Sequence, residues 1–188
     1  MKLNIYNDDW GLDEAVCPCD IHFMRWVRET GLKGGSIFHF GTGGHHLVGI
    51  ECAAPDLDNA VYGITASPQE YEHYVRLLID NPKVGRQYKT FFGDIYQLDA
   101  RMLPQFDAVT LFHLCEFRNE QNDLYNGLTD LEVAQLLVDQ LKPGGHVLFY
   151  TGSFAFEKAK ADIAALAESR GLERRPDHET LWVFRKPA

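Results

Sequence analysis

Ser36-Ile-Phe-His-Phe-Gly-Thr-Gly-Gly-His-His-Leu-Val48 carries the densest structural signal in the chain. A short apolar run (Ile37, Phe38, Phe40) meets a glycine cluster and then a second apolar patch, the pattern of a buried strand that turns sharply into a helix. Glycine lets backbone approach a bound group closely, and the helix that follows aims free N–H groups at the same place. In an open α/β sheet this first turn lies at the carboxyl edge of the strands, beside the switch point of strand order, where ligands bind.

Outward from that turn, helices and strands alternate. Asp20 to Thr30 has an apolar face (Ile21, Phe23, Met24, Trp26, Val27) and a stop at Gly31, which predicts a helix before the first strand. After the turn come a helix from about His45 to Ala54, a strand over Ala60 to Ile64, and a helix opened by Ser67-Pro68-Gln69-Glu70. In that tetrapeptide serine caps, proline suits the first helical position and Glu70 closes a capping box. Strands are expected at Tyr88 to Phe92, Phe106 to Leu114 and His146 to Tyr150, with a second capping box, Thr129-Asp130-Leu131-Glu132, before a helix closed by Lys142-Pro143-Gly144-Gly145. A helix beginning near Phe156 stops at Gly171. The last two strands, Leu172 to Arg175 and Thr180 to Arg185, are too close in sequence for a parallel crossover and must pair antiparallel. The expected fold is therefore α/β, a three-layer sandwich with a mostly parallel seven-stranded sheet, an antiparallel C-terminal strand and helices on both faces.

The 188 residues fit one domain, with residues 1–35 expected as an N-terminal helical segment over the pocket. A hydrophobic fraction of 45% indicates a globular chain, and 18 basic against 27 acidic residues give a net charge of −9. That charge argues against nucleic acid as a partner. No stretch is apolar enough for a secretory signal or a membrane span, so a cytoplasmic protein with reduced cysteines (Cys17, Cys19, Cys52, Cys115) and no membrane partner is expected.

The ordered set resembles the class I methyltransferases that use S-adenosylmethionine and have a Rossmann-like fold. It comprises the glycine turn, Val61-Tyr-Gly-Ile-Thr-Ala-Ser67, Gly93-Asp94-Ile95, Phe106-Asp-Ala-Val-Thr-Leu-Phe-His-Leu-Cys-Glu-Phe117, Leu141-Lys-Pro-Gly-Gly-His-Val-Leu148 and Leu181-Trp-Val-Phe-Arg-Lys186. The resemblance implies methyl transfer to a small-molecule acceptor, with S-adenosylhomocysteine as product. It places Gly41, Thr42, Gly43 and Gly44 against the methionine part of the cofactor, Thr65 and Ala66 near ribose and adenine, and Asp94 and Ile95 around the adenine. Phe112 and His113 would face the reacting end, His113 as general base.

Two departures stand out. His39 occupies the position at the end of strand one where the family carries an acid, and Thr65 stands where a carboxylate grips both ribose hydroxyls. Glu51, Asp56 and Asp58 are the nearby acids that the sequence offers as substitutes. These departures motivate a second reading, a noncatalytic ligand-binding or interaction protein on the same fold. A dinucleotide fingerprint is excluded because its third glycine would fall at His46.

His45 and His46 open a helix, where the dipole disfavours the imidazolium; one is expected exposed and the other packed. Cys17-Pro18-Cys19, with Asp20 and His22 following, lacks the second ligand pair of a structural zinc site, so no metal is expected from spacing alone. That segment is expected to close over the pocket with Trp10, while Phe23 and Trp26 pack in the core. The polar loop from Glu116 to Leu128, with Tyr125, is expected to help select substrate. Little chain remains for a separate substrate domain, so a second subunit is a further candidate to complete the pocket.

Overall fold

The computed structural model describes residues 2–188. Its centre is a seven-stranded sheet in the order β3-β2-β1-β4-β5-β7-β6. The strands are β1 (Ser36–Phe40), β2 (Ala60–Thr65), β3 (Tyr88–Phe92), β4 (Phe106–Thr110), β5 (Leu141–Tyr150), β6 (Glu173–Arg174) and β7 (Leu181–Arg185). Those from β3 across to β5 pair in parallel, whereas β7 runs antiparallel to both β5 and β6. The helices are α1 (Cys19–Thr30), α2 (Leu47–Cys52), α3 (Pro68–Asp80), α4 (Glu120–Asp123), α5 (Asp130–Asp139) and α6 (Phe156–Arg170).

Strand alternation sorts the core into two layers. Ile37, Val61, Ala108 and Leu148 meet Phe23 and Val27 of α1, Val48 and Cys52 of α2 and Tyr74 of α3. Phe38, Ile64, Val109 and Phe149 meet Val133 and Leu137 of α5 and Ile163 and Leu166 of α6. Strand order reverses between β1 and β4, so the carboxyl ends of β1, β2 and β4 diverge from their helices around one crevice.

Several boundaries differ from the sequence expectation. β4 ends at Thr110, not Leu114, because the chain turns away through His113 to Cys115, whose φ of 71° is incompatible with a continuing strand. β5 begins at Leu141, and Lys142 to Gly145 form a bulge within it: pairing with β4 jumps from Phe106↔Leu141 to Ala108↔His146. Helix α2 is only six residues long, because His46 precedes it at φ 50°. Among the described residues up to Gly35, only α1 is helical. The chain before it is an irregular strap tied down at both ends of the crevice, with Tyr6 N–H donating to Ala66 O (3.1 Å), Ser67 Oγ to Asp8 O (2.6 Å) and Tyr6 Oη to Phe117 O (2.6 Å). No helix among the described residues is long and apolar enough to cross a membrane.

Candidate active site

A cavity of about 220 Å³ occupies the crevice, roofed by Asn4, Tyr6, Asp8 and Trp10 of the strap. Of the residues singled out from the sequence, Gly41, Gly43, Thr65, Ala66, Asp94, Ile95 and His113 line it. At Gly41 and Gly43 the backbone is left-handed, with φ of 84° and 56°, and a Cβ on Gly43 would collide with the His45 ring and approach Trp10 O to 3.0 Å. Glycine is thus required twice over in this turn, for conformation and for space.

His39, Thr42, Gly44 and Phe112 do not line the cavity. Alternation along β1 turns His39 under α1, where its Nδ1 sits 2.8 Å from Thr110 Oγ1 and its Nε2 3.7 Å from Asp20 Oδ1. Phe112 packs edge-on against Phe23. Thr42 points its methyl at Gly63 and leaves its buried hydroxyl without a partner, and Gly44 lies beneath the strap, donating its N–H to Trp10 O (2.9 Å).

Two acids in the cavity, Glu70 and Asp20, have no part in the cofactor site expected from the sequence. Glu70, in the first turn of α3, reaches into the cavity, and Thr65 Oγ1 donates to its Oε2 at 2.6 Å. The helix cap explains the placement. Ser67 Oγ accepts from Glu70 N–H, but the return half of the capping box is not made: Ser67 N–H bonds Thr65 Oγ1 instead, freeing the Glu70 carboxylate for the cavity. Burial raises the Glu70 pKa, partly offset by the Thr65 hydroxyl. Glu51 and Asp56, by contrast, pair with Arg28 on the surface, and Asp58 accepts from Gln87. None of these three expected substitutes reaches the crevice.

Asp20, at the start of α1, is buried between His39 Nε2 and His45 Nε2, each 3.7 Å from one of its oxygens. Burial opposes its ionisation, yet the surrounding imidazoles win and its pKa is lowered. Asp94 is engaged internally: it accepts from Tyr96 N–H (3.0 Å), Asn122 Nδ2 (2.6 Å) and the Tyr125 hydroxyl, tying the loop after β4 to the end of β3. His46 is structural. Its Nδ1 meets Tyr88 Oη at 2.8 Å and its Nε2 the Glu70 carbonyl at 2.9 Å, and burial lowers its pKa to about 4.

At the far end of the cavity His113 stands between two thiols and a carboxylate. Its Nε2 lies 4.0 Å from Cys17 Sγ and 3.9 Å from Cys19 Sγ, the two sulfurs are 3.4 Å apart, and Nδ1 faces Glu116 Oε2 at 3.2 Å. The Cys19 thiol lowers the Cys17 pKa to about 5 against the effect of burial, with help from His113. Burial alone would depress His113; Cys17 and Glu116 outweigh it and push it up to about 10. The two shifts together favour proton transfer from Cys17 to His113, and the imidazole expected as a general base is engaged by Cys17, Cys19 and Glu116.

Strand order, the antiparallel β7 and the position of the crevice define the class I methyltransferase fold. The CcbJ methyltransferase from Streptomyces caelestis matches with a TM-score of 0.65 at 16% identity, covering 97% of this chain and 95% of that one. The [4+2]-cyclase SpnF matches with a TM-score of 0.64 at 14% identity over 99% and 88% of the two chains. A SAM-dependent methyltransferase from Thiobacillus denitrificans, in complex with S-adenosyl-L-homocysteine, matches at 0.51 and 18% identity over 69% and 47%. No protein-family model and no curated protein matches this chain by sequence. At these identities the likeness is one of fold, and a cyclase on the same frame is a reminder that fold does not dictate chemistry.

Proposed function

We propose that the chain transfers a methyl group from S-adenosylmethionine to a small-molecule acceptor. The observation that carries this reading is Glu70, a cavity carboxylate hydrogen-bonded to Thr65 at the end of β2. It supplies from α3 the carboxylate acceptor that the sequence lacks on the strand, at the place where the ribose hydroxyls would lie. Asp20 plays the matching part for His39: an acid displaced from strand to helix, facing the cavity beside the glycine turn, where the cationic end of the methionine moiety would lie. Gly41 and Gly43 offer backbone at close range, and Ala66, Gly93, Asp94 and Ile95 line the part of the cavity that would take the adenine.

When bound, this cofactor supplies an already activated sulfonium methyl, so the protein's task is alignment and exclusion of water. The strap does the excluding. Small size fits the acceptor, since the roof over the crevice comes from this same chain. Calorimetric titration with S-adenosylmethionine and S-adenosylhomocysteine is the test. Wild type is expected to bind both, and Glu70→Gln to bind about ten to a hundred times more weakly, as loss of a charge-assisted hydrogen bond worth roughly 1.5–3 kcal/mol requires. Absence of heat with either ligand would refute the reading.

A further inference from the structure

We infer that Cys17, Cys19 and His113 form a three-ligand binding site for a thiophilic divalent cation, zinc in the first place, with its fourth position turned to the cavity. Nothing in the methyl-transfer reading requires this site, and the site does not rest on that reading.

The argument begins with the donors. Cys17 and Cys19 flank a proline at the entry to α1, and the turn after β4 brings His113 to them across more than 90 residues of sequence. Tetrahedral zinc with bonds of about 2.3 Å to sulfur and 2.0–2.1 Å to nitrogen sets sulfur–sulfur and sulfur–nitrogen separations of roughly 3.8 and 3.5 Å. The observed 3.4, 3.9 and 4.0 Å lie within about half an ångström of those edges, so small side-chain rotations seat the ion. The imidazole Nε2 meets both thiols at the long end of hydrogen bonding to sulfur, so the three donor atoms converge on one point. On its other side, Nδ1 faces the Glu116 carboxylate, which itself accepts from the Phe154 N–H at 3.0 Å. A carboxylate behind a histidine is the arrangement that orients metal-bound imidazole and raises its basicity.

Donor type selects the ion. Two thiolates and one imidazole suit zinc and exclude magnesium or calcium, which take oxygen. Three protein ligands and an open position are the hallmark of a reactive site, unlike the closed four-ligand sites that only hold structure. All three donors line the cavity, so the open position faces it. A bound cation would also relieve the crowding of the two sulfurs, which stand 3.4 Å apart. The sequence reading passed over this site because it sought a second local pair, and the third donor comes from a distant strand end.

The test is titration of the reduced, chelator-stripped full chain with cobalt(II) and zinc(II), without any methyl donor. Wild type is expected to bind one equivalent of cobalt with thiolate-to-cobalt charge-transfer absorption that zinc abolishes. Cys17→Ser and His113→Gln should each lose the bound equivalent, Glu116→Gln should weaken it by roughly 10- to 100-fold with the spectrum retained, and Cys52→Ser, which alters a thiol buried elsewhere, should match wild type. Melting curves of both ligand variants identify any that fails to fold, and either one suffices. Absence of stoichiometric metal in wild type, or equal binding in a folded Cys17→Ser or His113→Gln chain, would overturn the inference.

Discussion

The imidazole of His46 is bonded on both nitrogens, accepting from the Tyr88 hydroxyl and donating to the Glu70 carbonyl, and protonation would break the first of these bonds. Burial is the main reason that its pKa falls to about 4, reinforced by the neighbouring His45, His73 and His39 and partly offset by the Glu70 carbonyl. An unfolded chain takes up this proton near pH 6.5 and the folded chain refuses it until about 4. The stabilisation is therefore complete above pH 6.5 and is lost progressively as the pH drops to 4, a loss of about 3 kcal/mol from this one group. Urea unfolding at a series of pH values should show that slope in wild type and a flatter one in His46→Asn, since asparagine tolerates the left-handed backbone there and does not titrate. Equal slopes would mean that another group governs the acid limb.

Among the elements, α2 shows how close packing overrides propensity. Gly49 sits in its middle, and a Cβ there would run into the ring of Tyr88, a wholly buried side chain of β3. In an exposed helix, glycine to alanine gains about 0.5–1 kcal/mol, but forcing a methyl into a filled core costs typically 1–3 kcal/mol. Gly49→Ala should therefore destabilise the protein by about 1–2 kcal/mol in denaturant titration, where a stabilised variant would show that the ring moves aside freely. Elements of this kind were largely legible in the sequence. The helix caps, the apolar strand runs and the short final connection are local signals, and they led to the mostly parallel seven-stranded sheet and its antiparallel end. The same local logic misled at Glu70, because Ser67-Pro68-Gln69-Glu70 accounts for that glutamate as a cap partner, whereas Thr65 competes successfully for both the Ser67 amide and the carboxylate. It also overextended β4, whose apolar run continues into a turn buried for a different purpose.

At the scale of the whole molecule, the site is a meeting of distant parts: a strap, the first turns of α1 and α3, two strand ends and the bend after β4. Single residues named from the family pattern fell inside or outside the cavity: Gly41 and Thr65 line it, whereas His39, by alternation along β1, and Phe112, in the turn after β4, pack into the layer beneath α1. The compensating acids Asp20 and Glu70 were invisible to a strand-by-strand reading because helices deliver them. That exchange of strand acids for helix acids is the central claim, and Thr65→Asp tests it with a sign. Its new carboxylate would stand within hydrogen-bonding distance of Glu70, where two like charges cannot both ionise freely. Calorimetric titration with S-adenosylmethionine should find Thr65→Asp binding at least about tenfold more weakly than wild type, a difference of about 1.4 kcal/mol. Tighter binding in Thr65→Asp would contradict the account, because it would mean that the strand position was still lacking an acid and that Glu70 does not fill it.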